Sequence, residues 1–428
     1  MGRAHGGKDS PTIAGRIYEL ISNLIMNVIP SPVETKDNRN DLTIVRDITL
    51  KLLAYCRANQ WAGYDPYDAL DSRVFKALPF LDFKLPRLVL TQTVKRSPIN
   101  LRPLLLVPKT PNPKGIALFL SSLAKLSTIG LVEGDEDIVQ AADQLLSLTS
   151  PNVRYSCWGY NFDWQTRSIL VPKGTPNIIC STFAANALLD AYEQSKNSKW
   201  LDAAVSAADF ISEVLFRREA DSQACFTYTP LGKTRIHNAN LLGSALLCRV
   251  SSFTGREKLL EQAFAAARYS IARQHEDGSW DYGESPSQRW IDNFHTGFNL
   301  VALSRIKKYS GTTEFDAAIR RGFEFYVSHF FREDGAPRYF HNATYPIDIH
   351  SVAQSVITLV EFKEFAGENM PLADSVLNWG LRNMRDGRGF FYFQKRPYYT
   401  VRIPFMRWSQ AWMLLALSTF LEARRIGG

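Results

Sequence analysis

Residues 183–189 read Phe-Ala-Ala-Asn-Ala-Leu-Leu, and the stretch 177–194 around them is mostly apolar or small. A helix that is apolar on nearly all sides is buried. A second kind of stretch follows, as at 314–324, where Glu314, Arg320 and Glu324 place charge on one helical face. That pattern is typical of a helix with one exposed face. An inner helix paired with an outer helix is therefore the predicted building unit.

This helix pair recurs about every 55–60 residues. The predicted pairs are Ile116–Ser127 with Asp137–Leu148, Asn177–Gln194 with Trp200–Phe216, Asn238–Thr254 with Glu257–Gln274, Asp292–Ser310 with Glu314–Phe331, and Asp348–Ala366 with Leu372–Met384. A sixth apolar helix, Met406–Arg424, has no following partner, and a helix over Leu42–Ala58 is available to it. Because one pair cannot bury its own apolar face, successive pairs stack into an array or a closed ring. We predict an all-α (α/α)6 toroid whose inner helices all begin at one mouth.

Residues 1–114 differ from the rest of the chain. Prolines recur there at Pro79, Pro86, Pro98, Pro103, Pro108, Pro111 and Pro113. Prolines at this density disfavour long helices and favour extended surface segments. We therefore divide the chain into N-terminal helices with a proline-rich wrapping arm, 1–114, and the toroid domain, 115–428. Helical apolar spacing over 17–28 predicts a helix docked on the domain, with a membrane-surface helix as the alternative.

Asp-Gly pairs follow three predicted outer helices, at 277–278, 334–335 and 386–387, and aromatic residues come next each time. Asp-Gly is a hairpin-turn signal. We expect short β-hairpins around the mouth, either as part of a site or only as covers for the helix ends.

The composition is that of an ordinary globular protein, with 45% hydrophobic and 21% charged residues. No stretch offers the roughly 20 uninterrupted apolar residues of a membrane-spanning helix. The formal net charge of +8 is modest for 428 residues and lacks a dense basic run. This argues against a nucleic-acid partner and is compatible with an acidic glycan or a phosphorylated lipid.

The five cysteines are widely spaced, odd in number and without a CxxC pair. Free thiols in a reducing compartment are the simple interpretation. Arg16 and Glu19 interrupt the N-terminal apolar stretch, so we do not expect a secretory signal. The expected location is cytoplasmic, with the inner face of the membrane as an alternative.

Three of the seven histidines, His237, His295 and His350, fall at the starts of consecutive inner helices. We expect them to converge on the mouth, where an adjacent carboxylate orients each imidazole as an acid or base. Asp292 and Asp348 are the adjacent carboxylates, although either could simply be a helix N-cap. Asp292 with His295, and Asp348 with His350, are the predicted catalytic pairs.

Aromatic, amide and cationic side chains gather in the same turns and helix starts. The predicted substrate-binding residues are Trp158, Tyr160, Trp164, Arg167, His237, Asn238, Trp280, Tyr282, Tyr345, Gln354, Arg402, Arg407, Trp408 and Gln410. Aromatic faces suit sugar rings or a polyprenyl chain, and arginine forks match a carboxylate or phosphate. The arginines, Arg402 and Arg407 above all, favour an acidic glycan.

Metal and cofactor chemistry are less favoured by the pattern. Three His and two Asp would suffice for zinc or manganese, but they lie on different helices without a tight local motif. No phosphate-cradling glycine loop or GxSxG elbow is visible, so neither a metal nor a cofactor is expected. A nucleophilic Cys157 or Cys180 remains an alternative.

The pattern over residues 115–428 resembles the six-hairpin toroid superfamily, shared by glycoside hydrolases, uronate lyases, epimerases, terpene cyclases and protein prenyltransferases. Residues 267–280 look like the structural QW repeat of squalene-hopene cyclases, whereas those cyclases' acidic DxDD motif is absent. The Cys-His dipeptide of lanthipeptide cyclases is also absent. The Asp-x-x-His helix start, Pro-Ile-Asp-Ile-His at 346–350 and Met-Arg-Trp-Ser-Gln-Ala-Trp at 406–412 are similar to toroid proteins associated with bacterial exopolysaccharide biosynthesis.

The leading hypothesis is a carbohydrate-active enzyme of cell-surface polysaccharide biosynthesis, in association with a synthesis complex. It would act on an acidic glycan by hydrolysis, elimination or epimerisation. An isoprenoid cyclase or transferase predicts instead a deep apolar cavity with a single acid. A non-catalytic glycan-binding scaffold predicts that substitution of Asp292 or His350 leaves the pathway intact.

Overall fold

The computed structural model describes residues 38–220, 223–364 and 369–426. The helix expected over 17–28 lies outside these ranges. Ahead of the repeats, the chain forms α1 (Asn38–Ala58), α2 (Arg73–Lys76) and α3 (Lys84–Arg96), with 3-10 turns at Asp68–Asp71 and Pro79–Leu81. The expectation that the proline-rich arm is extended is wrong over Lys84–Arg96, because these residues form helix α3. Pro86 lies in the first turn of α3, where the missing N–H would have had no intrahelical partner.

The repeats follow as alternating helices. They are α4 (Pro113–Thr128), α5 (Glu136–Ser147), α6 (Ile178–Ser195), α7 (Ser198–Asp209), α8 (His237–Thr254), α9 (Glu257–Ile271), α10 (Asn293–Ser310), α11 (Asp316–Phe330), α12 (Ile349–Glu361), α13 (Asn369–Asn383) and α14 (Trp412–Ile426). π-helical turns extend α7 over Phe210–Leu215 and precede α14 over Met406–Ala411. The even-numbered helices of this series are inner ones; in α8, every residue from His237 to Ser251 is buried.

The inner helices form a closed ring. Each packs against the next in the order α4, α6, α8, α10, α12 and α14, and α14 packs back against α4. Helix α1 packs on α14 and takes the place of the sixth outer helix. The predicted toroid and its closing helix are therefore confirmed. The division of the chain at residue 114 stays a prediction. Helix α1 precedes that boundary and nevertheless belongs to the ring.

Three turns tie neighbouring outer helices together. Gly278, Gly335 and Gly389 all have positive φ, and a Cβ on any of them would press against the backbone of the next outer helix. The backbones met are those of Arg321 in α11, Ser375 in α13 and Lys51 in α1. The third contact repeats the first two with α1 as the neighbour, which locates the closure of the ring.

Short strands surround the starts of the inner helices. The strands are β1 (Ala62–Gly63), β2 (Thr110–Pro111), β3 (Trp164–Gln165), β4 (Leu170–Val171), β5 (Phe216–Ala220), β6 (Gln223–Phe226), β7 (Ile347–Asp348), β8 (Gln394–Lys395) and β9 (Thr400–Val401). All pairings among them are antiparallel: β1 with β2, β3 with β4, β5 with β6, and β7, β8 and β9 in one sheet. Strand β7 leads directly into α12 and so positions the start of that inner helix.

Candidate active site

The start of α10 holds a carboxylate–imidazole pair. Asp292 is the N-cap of the helix, and its Oδ1 accepts the backbone N–H of His295 at 3.0 Å. Its Oδ2 lies 2.7 Å from His295 Nδ1 and accepts the Trp290 indole N–H at 2.8 Å. An ionised carboxylate only accepts hydrogen bonds, so Nδ1 carries a proton, and in the neutral imidazole the lone pair is on Nε2. The His295 side chain is 21% exposed, so a ligand can reach the imidazole.

A column of flat groups holds this imidazole. The Tyr282 ring lies 4.4 Å from the His295 ring and stacks on Trp290 at 4.6 Å with an interplanar angle of 15°. The Arg167 guanidinium lies 5.7 Å from the Trp290 ring centre, and it donates to the Ser287 carbonyl. Contact with Tyr282 thus adds to the hydrogen bond from Asp292 in holding the His295 ring.

The start of α12 holds a second carboxyl group, which is fully buried. Asp348 is the N-cap of α12, and three donors reach it: the backbone N–H of His350 at 2.9 Å, Trp408 Nε1 at 2.9 Å and Gln394 Nε2 at 2.8 Å. Burial raises the pKa of Asp348 to about 6, against the opposing effect of these hydrogen bonds. A carboxyl group with this pKa exchanges its proton near neutral pH.

His350 is enclosed by aromatic rings. Its imidazole stacks on Phe294 at 4.5 Å and on Trp412 at 4.4 Å, and it meets the Trp408 ring edge-on at 4.8 Å. Only 1% of the residue is exposed, and neither ring nitrogen has a hydrogen-bond partner among the described residues. Burial, followed by the charge of Lys114, lowers the pKa of His350 well below its usual value. The imidazole is therefore neutral.

Lys114, in the first turn of α4, contacts the same rings. Its Nζ lies 4.4 Å from the ring centre of Phe183, 5.1 Å from that of Trp412 and 5.5 Å from that of Phe298. The residue is 4% exposed, and burial lowers its pKa to about 7, with the Arg407 charge adding to the effect. The central cluster is the name used below for Lys114, Phe183, Phe294, Phe298, His350 and Trp412. Its members come from five inner helices and meet inside the ring.

Solved structures with this architecture are found by comparison. They include a GH76 α-mannanase from Bacteroides thetaiotaomicron (TM-score 0.57, 12% identity, 74% of this chain and 87% of that chain covered). A cellobiose 2-epimerase from Bacillus thermoamylovorans has a TM-score of 0.58 and 11% identity over 96% of this chain and 99% of that one. An unsaturated glucuronyl hydrolase specific for heparin has a TM-score of 0.54 and 11% identity over 74% and 89%.

The chain is a six-hairpin α/α toroid. No protein-family model matches its sequence, and no curated protein matches it either. The similarity to solved structures therefore concerns the fold, and the chemistry has to be argued from the residues of this toroid.

The toroid brings two of the three predicted imidazoles together. His295 and His350 lie 4.3 and 4.5 Å from the ring of Phe294. His237 does not join them, because its Nδ1 lies 3.3 Å from the hydroxyl of Ser270 in the outer helix α9. Burial lowers the pKa of His237 to about 4. The expectation that all three histidines converge is wrong for His237, since its ring turns outward from the first position of α8.

Several predicted substrate-binding residues serve the packing of the toroid instead. Trp158 and Trp280 are buried, and their indoles donate to the carbonyls of Leu145 and Ser270 at 2.8 and 3.0 Å. Gln410 exchanges two hydrogen bonds with the backbone of Phe391, both 2.8 Å long. Gln354 is buried within α12 and donates to Thr358. These placements correct the assignment of all four residues to a ligand-binding surface.

The two predicted anion-binding arginines differ in their availability to a ligand. Arg407 is 3% exposed and forms a two-point ion pair with Asp65 of the arm, at 2.6 and 2.8 Å. Arg402 is exposed and lies over the ring of Tyr392, at 5.4 Å from its centre. The sequence places both arginines near an inner-helix start, but it cannot show that an acidic partner lies in the arm.

Other predicted residues form a second aromatic group beside α6 and β3. The Tyr160 hydroxyl lies 3.1 Å from that of Tyr228, and Trp164 packs against both rings at 5.9 and 5.5 Å. Asn238 is buried, and its Oδ1 has no partner among the described residues. Tyr345 is 37% exposed just ahead of β7. Of these residues, Tyr345 offers the largest free surface to a ligand.

The arm covers part of the mouth, a feature that the sequence analysis did not assign to the site. Tyr67 packs on Trp408 at 5.7 Å, and Lys95 of α3 donates to the Tyr67 hydroxyl at 2.6 Å. The sequence analysis also missed Lys114 and the rings around it. The position of Lys114 at an inner-helix start was the available signal, because the predicted catalytic residues share that position.

Metal binding and nucleophilic cysteine chemistry find little support here. Among residues 38–220, 223–364 and 369–426, no three His, Cys, Asp or Glu side chains are grouped as a metal site requires. All five cysteines are buried free thiols, and burial raises the pKa of Cys180 to about 11 and that of Cys157 to about 12. A thiol with such a pKa is a poor nucleophile at neutral pH.

Over residues 38–220, 223–364 and 369–426, no helix is long and apolar enough to cross a membrane.

Proposed function

We propose that this toroid is an enzyme that transfers protons on a glycan or glycoconjugate, in reactions of the hydrolase, lyase or epimerase type. The substrate is an acidic sugar polymer or a precursor of one. Its place in cell-surface polysaccharide synthesis follows from the resemblance of the segments at 346–350 and 406–412 to exopolysaccharide toroids.

The observation that carries this proposal is the Asp292–His295 pair at the start of α10, with the buried Asp348 at the start of the neighbouring inner helix α12. His295 is held by a carboxylate at 2.7 Å and keeps Nε2 free, as a general base requires. Asp348 has a pKa of about 6, in the range that suits a general acid near neutral pH. Both carboxylates are also N-caps, so the helix starts that fix the backbone fix the catalytic groups as well.

The structural comparisons support the same class of substrate. An α-mannanase, a cellobiose 2-epimerase and an unsaturated glucuronyl hydrolase all act on carbohydrates according to their names. They differ in reaction type, which is why the proposal stops at proton transfer on a sugar. The residues of this chain favour an imidazole base with a carboxyl acid over a symmetric pair of carboxylates.

One observation favours the isoprenoid alternative: an acid of raised pKa, Asp348, adjoins the aromatic central cluster. A carbocation, however, would meet the Lys114 side chain, which already lies against the rings of Phe183 and Trp412. A cationic group there opposes a cationic intermediate. The glycan function is therefore the better supported of the two.

The test is turnover of a substrate panel with product analysis by NMR. The panel contains mannobiose, cellobiose, unsaturated and saturated glucuronyl disaccharides, and farnesyl and geranylgeranyl diphosphate. We expect turnover of at least one sugar, and a fall of about 10²–10⁴-fold in His295→Asn, the usual contribution of a general base. His275→Asn is the matched control, since it breaks a His–Asp contact of 3.8 Å outside the site. Turnover of a diphosphate alone, or equal rates in both variants, would contradict the proposal.

A further inference from the structure

Lys114 and His350 are two basic side chains that share two aromatic neighbours, Trp412 and Phe298. Helices α4 and α12, which carry them, both pack against α14. Trp412 of α14 contacts both groups: its ring stacks on His350 at 4.4 Å and lies 5.1 Å from Lys114 Nζ. Two groups able to donate a hydrogen bond to an anion thus contact the same indole ring in the central cluster.

The protein leaves the His350 nitrogens without a hydrogen-bond partner, and Lys114 Nζ contacts aromatic rings instead of a hydrogen-bond acceptor among the described residues. Both ring nitrogens of His350 lack a partner among the described residues, and the residue is 1% exposed. The carboxylate that acts on Lys114 electrostatically, that of Asp65, is already paired with Arg407 at 2.6 and 2.8 Å. A buried polar group without a partner costs about 1–3 kcal/mol in folding free energy, so its presence calls for an explanation.

The charged surroundings of the two groups favour an anion. Arg407 and Cys180 face Lys114 from the turn before α14 and from α6, and Asp65 faces it from the arm. The groups that face His350 are Lys114, His295 of α10 and Arg407. Asp348 lies two residues before His350, and its oxygens are occupied by three donors. Both neighbouring carboxylates, Asp65 and Asp348, are thus already engaged by donors, and the other groups, apart from the Cys180 thiol, are bases or the paired Arg407.

We propose that Lys114 and His350 together bind the carboxylate of an acidic sugar, as the anion subsite of the site that contains Asp292 and His295. This assignment rests on the proposed glycan function and specifies its substrate class. A bound carboxylate supplies the hydrogen-bond acceptors and the negative charge that both side chains lack. Since burial keeps His350 neutral and lowers the pKa of Lys114 to about 7, carboxylate binding draws protons onto these groups from solution.

Isothermal titration calorimetry at pH 7.5, in HEPES and in Tris, measures the affinity and the number of protons taken up. The probes are D-glucuronate, its neutral isostere D-glucuronamide, cellobiose and inorganic phosphate. We expect D-glucuronate to bind at least about tenfold more tightly than the amide, the equivalent of one charge-assisted hydrogen bond. We also expect the heat of binding to differ between the two buffers by the amount that corresponds to the uptake of one to about two protons per site.

Lys114→Met removes the amine while keeping the shape of the side chain. We expect it to weaken the preference for the acid over the amide and to lower the proton uptake by the share that Lys114 contributes, leaving at most the proton taken up by His350. Lys258→Met, the same substitution on the exposed face of the outer helix α9, should change neither. If Lys114→Met does not fold by circular dichroism, Lys114→Gln replaces it, and the comparison of acid with amide on the wild-type protein stands without either variant.

The possible outcomes distinguish a failure of the anion subsite from a failure of the proposed glycan function. Equal binding of acid and amide, or proton uptake that is unchanged without Lys114, would overturn the subsite, while binding of cellobiose would leave the glycan function standing. Phosphate binding with proton uptake, without binding of D-glucuronate, would show that the anion is a phosphoryl group and that the carboxylate assignment is wrong. Binding of neither sugar would contradict both proposals.

Discussion

Asp65 and Arg407, 342 positions apart in the chain, form a buried two-point ion pair of 2.6 and 2.8 Å. Asp65 belongs to the arm, and Arg407 lies in the π-helical turn that precedes the last inner helix. The pair therefore joins the arm to the point at which the ring closes. It also neutralises an arginine that the sequence analysis assigned to ligand binding.

Asp65→Asn should destabilise the protein strongly. Removing one partner leaves the Arg407 charge buried and uncompensated, at a cost of about 3–5 kcal/mol in the free energy of unfolding. Denaturant titration measures this loss. Asp316→Asn, which breaks the exposed pair with Lys307, is the control and should cost less than about 1 kcal/mol. Adding Arg407→Met to Asp65→Asn should recover much of the loss, and no recovery would argue against an electrostatic cause.

Two glycines of one turn should respond differently to alanine. Gly389 has a φ of +93° and lies against the Lys51 backbone, whereas a Cβ on Gly387 would meet nothing within 4 Å. Gly389→Ala should cost about 1–3 kcal/mol in the free energy of unfolding, because it combines a strained backbone with a close approach to α1. Gly387→Ala should be nearly neutral. Equal effects in thermal or denaturant unfolding would argue against packing of this turn on α1.

Gln394→Met should shift the pH dependence of turnover. Gln394 donates to the Asp348 carboxylate and lowers the pKa of that group, so its loss raises the pKa above about 6. If Asp348 acts in its protonated form, turnover falls as the pH rises through this pKa. The falling limb should therefore move upward by about 0.5–1 pH unit, the equivalent of one modest hydrogen bond. An unmoved limb in the pH–rate profile would remove Asp348 from the role of acid.

Lys114→Met should stabilise the fold while impairing binding. Replacing a buried, unpaired amine by an apolar side chain removes an unfavourable burial of about 1–3 kcal/mol. The pKa of Lys114 in the folded protein, about 7, lies below the ordinary lysine value of 10.5, so the unfolded chain binds more protons between these pH values. Wild-type stability attributable to this group consequently rises with pH over that window. The variant's advantage should be greatest below pH 7 and shrink toward pH 10.5.

Denaturant titrations of both proteins at several pH values measure that difference. Lys258→Met, on an exposed face, should show no such pH-dependent advantage. A constant difference between wild type and Lys114→Met across the window would mean that Lys114 is not buried as an unpaired amine.

The fold was predictable because it is periodic. Inner helices such as α8 are apolar all round, and the outer helices carry charge on one face, so their order followed from the sequence. Even the closing role of α1 followed from the count of inner helices. Helix α3 did not, because the density of prolines suggested an extended segment, whereas Pro86 occupies a position in the first turn that tolerates it.

The site was predictable only where its geometry is local. Asp292 and His295 are three residues apart at a helix start, and one turn of backbone brings them together. The pairing of Arg407 with Asp65, and of His237 with Ser270, depends on which neighbouring element faces each side chain. The position of a residue in the repeat predicts how far along the axis of the toroid it lies. A shift of one residue along the helix, however, decides whether the side chain turns inward or outward.

The most direct test of the central claim is a crystal structure of Asp292→Asn, which should turn over slowly, soaked with a uronic-acid oligosaccharide. Our account predicts a sugar ring at the mouth, with a reacting C–H or O–H within about 3.5 Å of His295 Nε2. It also predicts the sugar's carboxylate between Lys114 and His350. An oligosaccharide bound elsewhere on the surface, with the surroundings of His295 empty, would contradict the account.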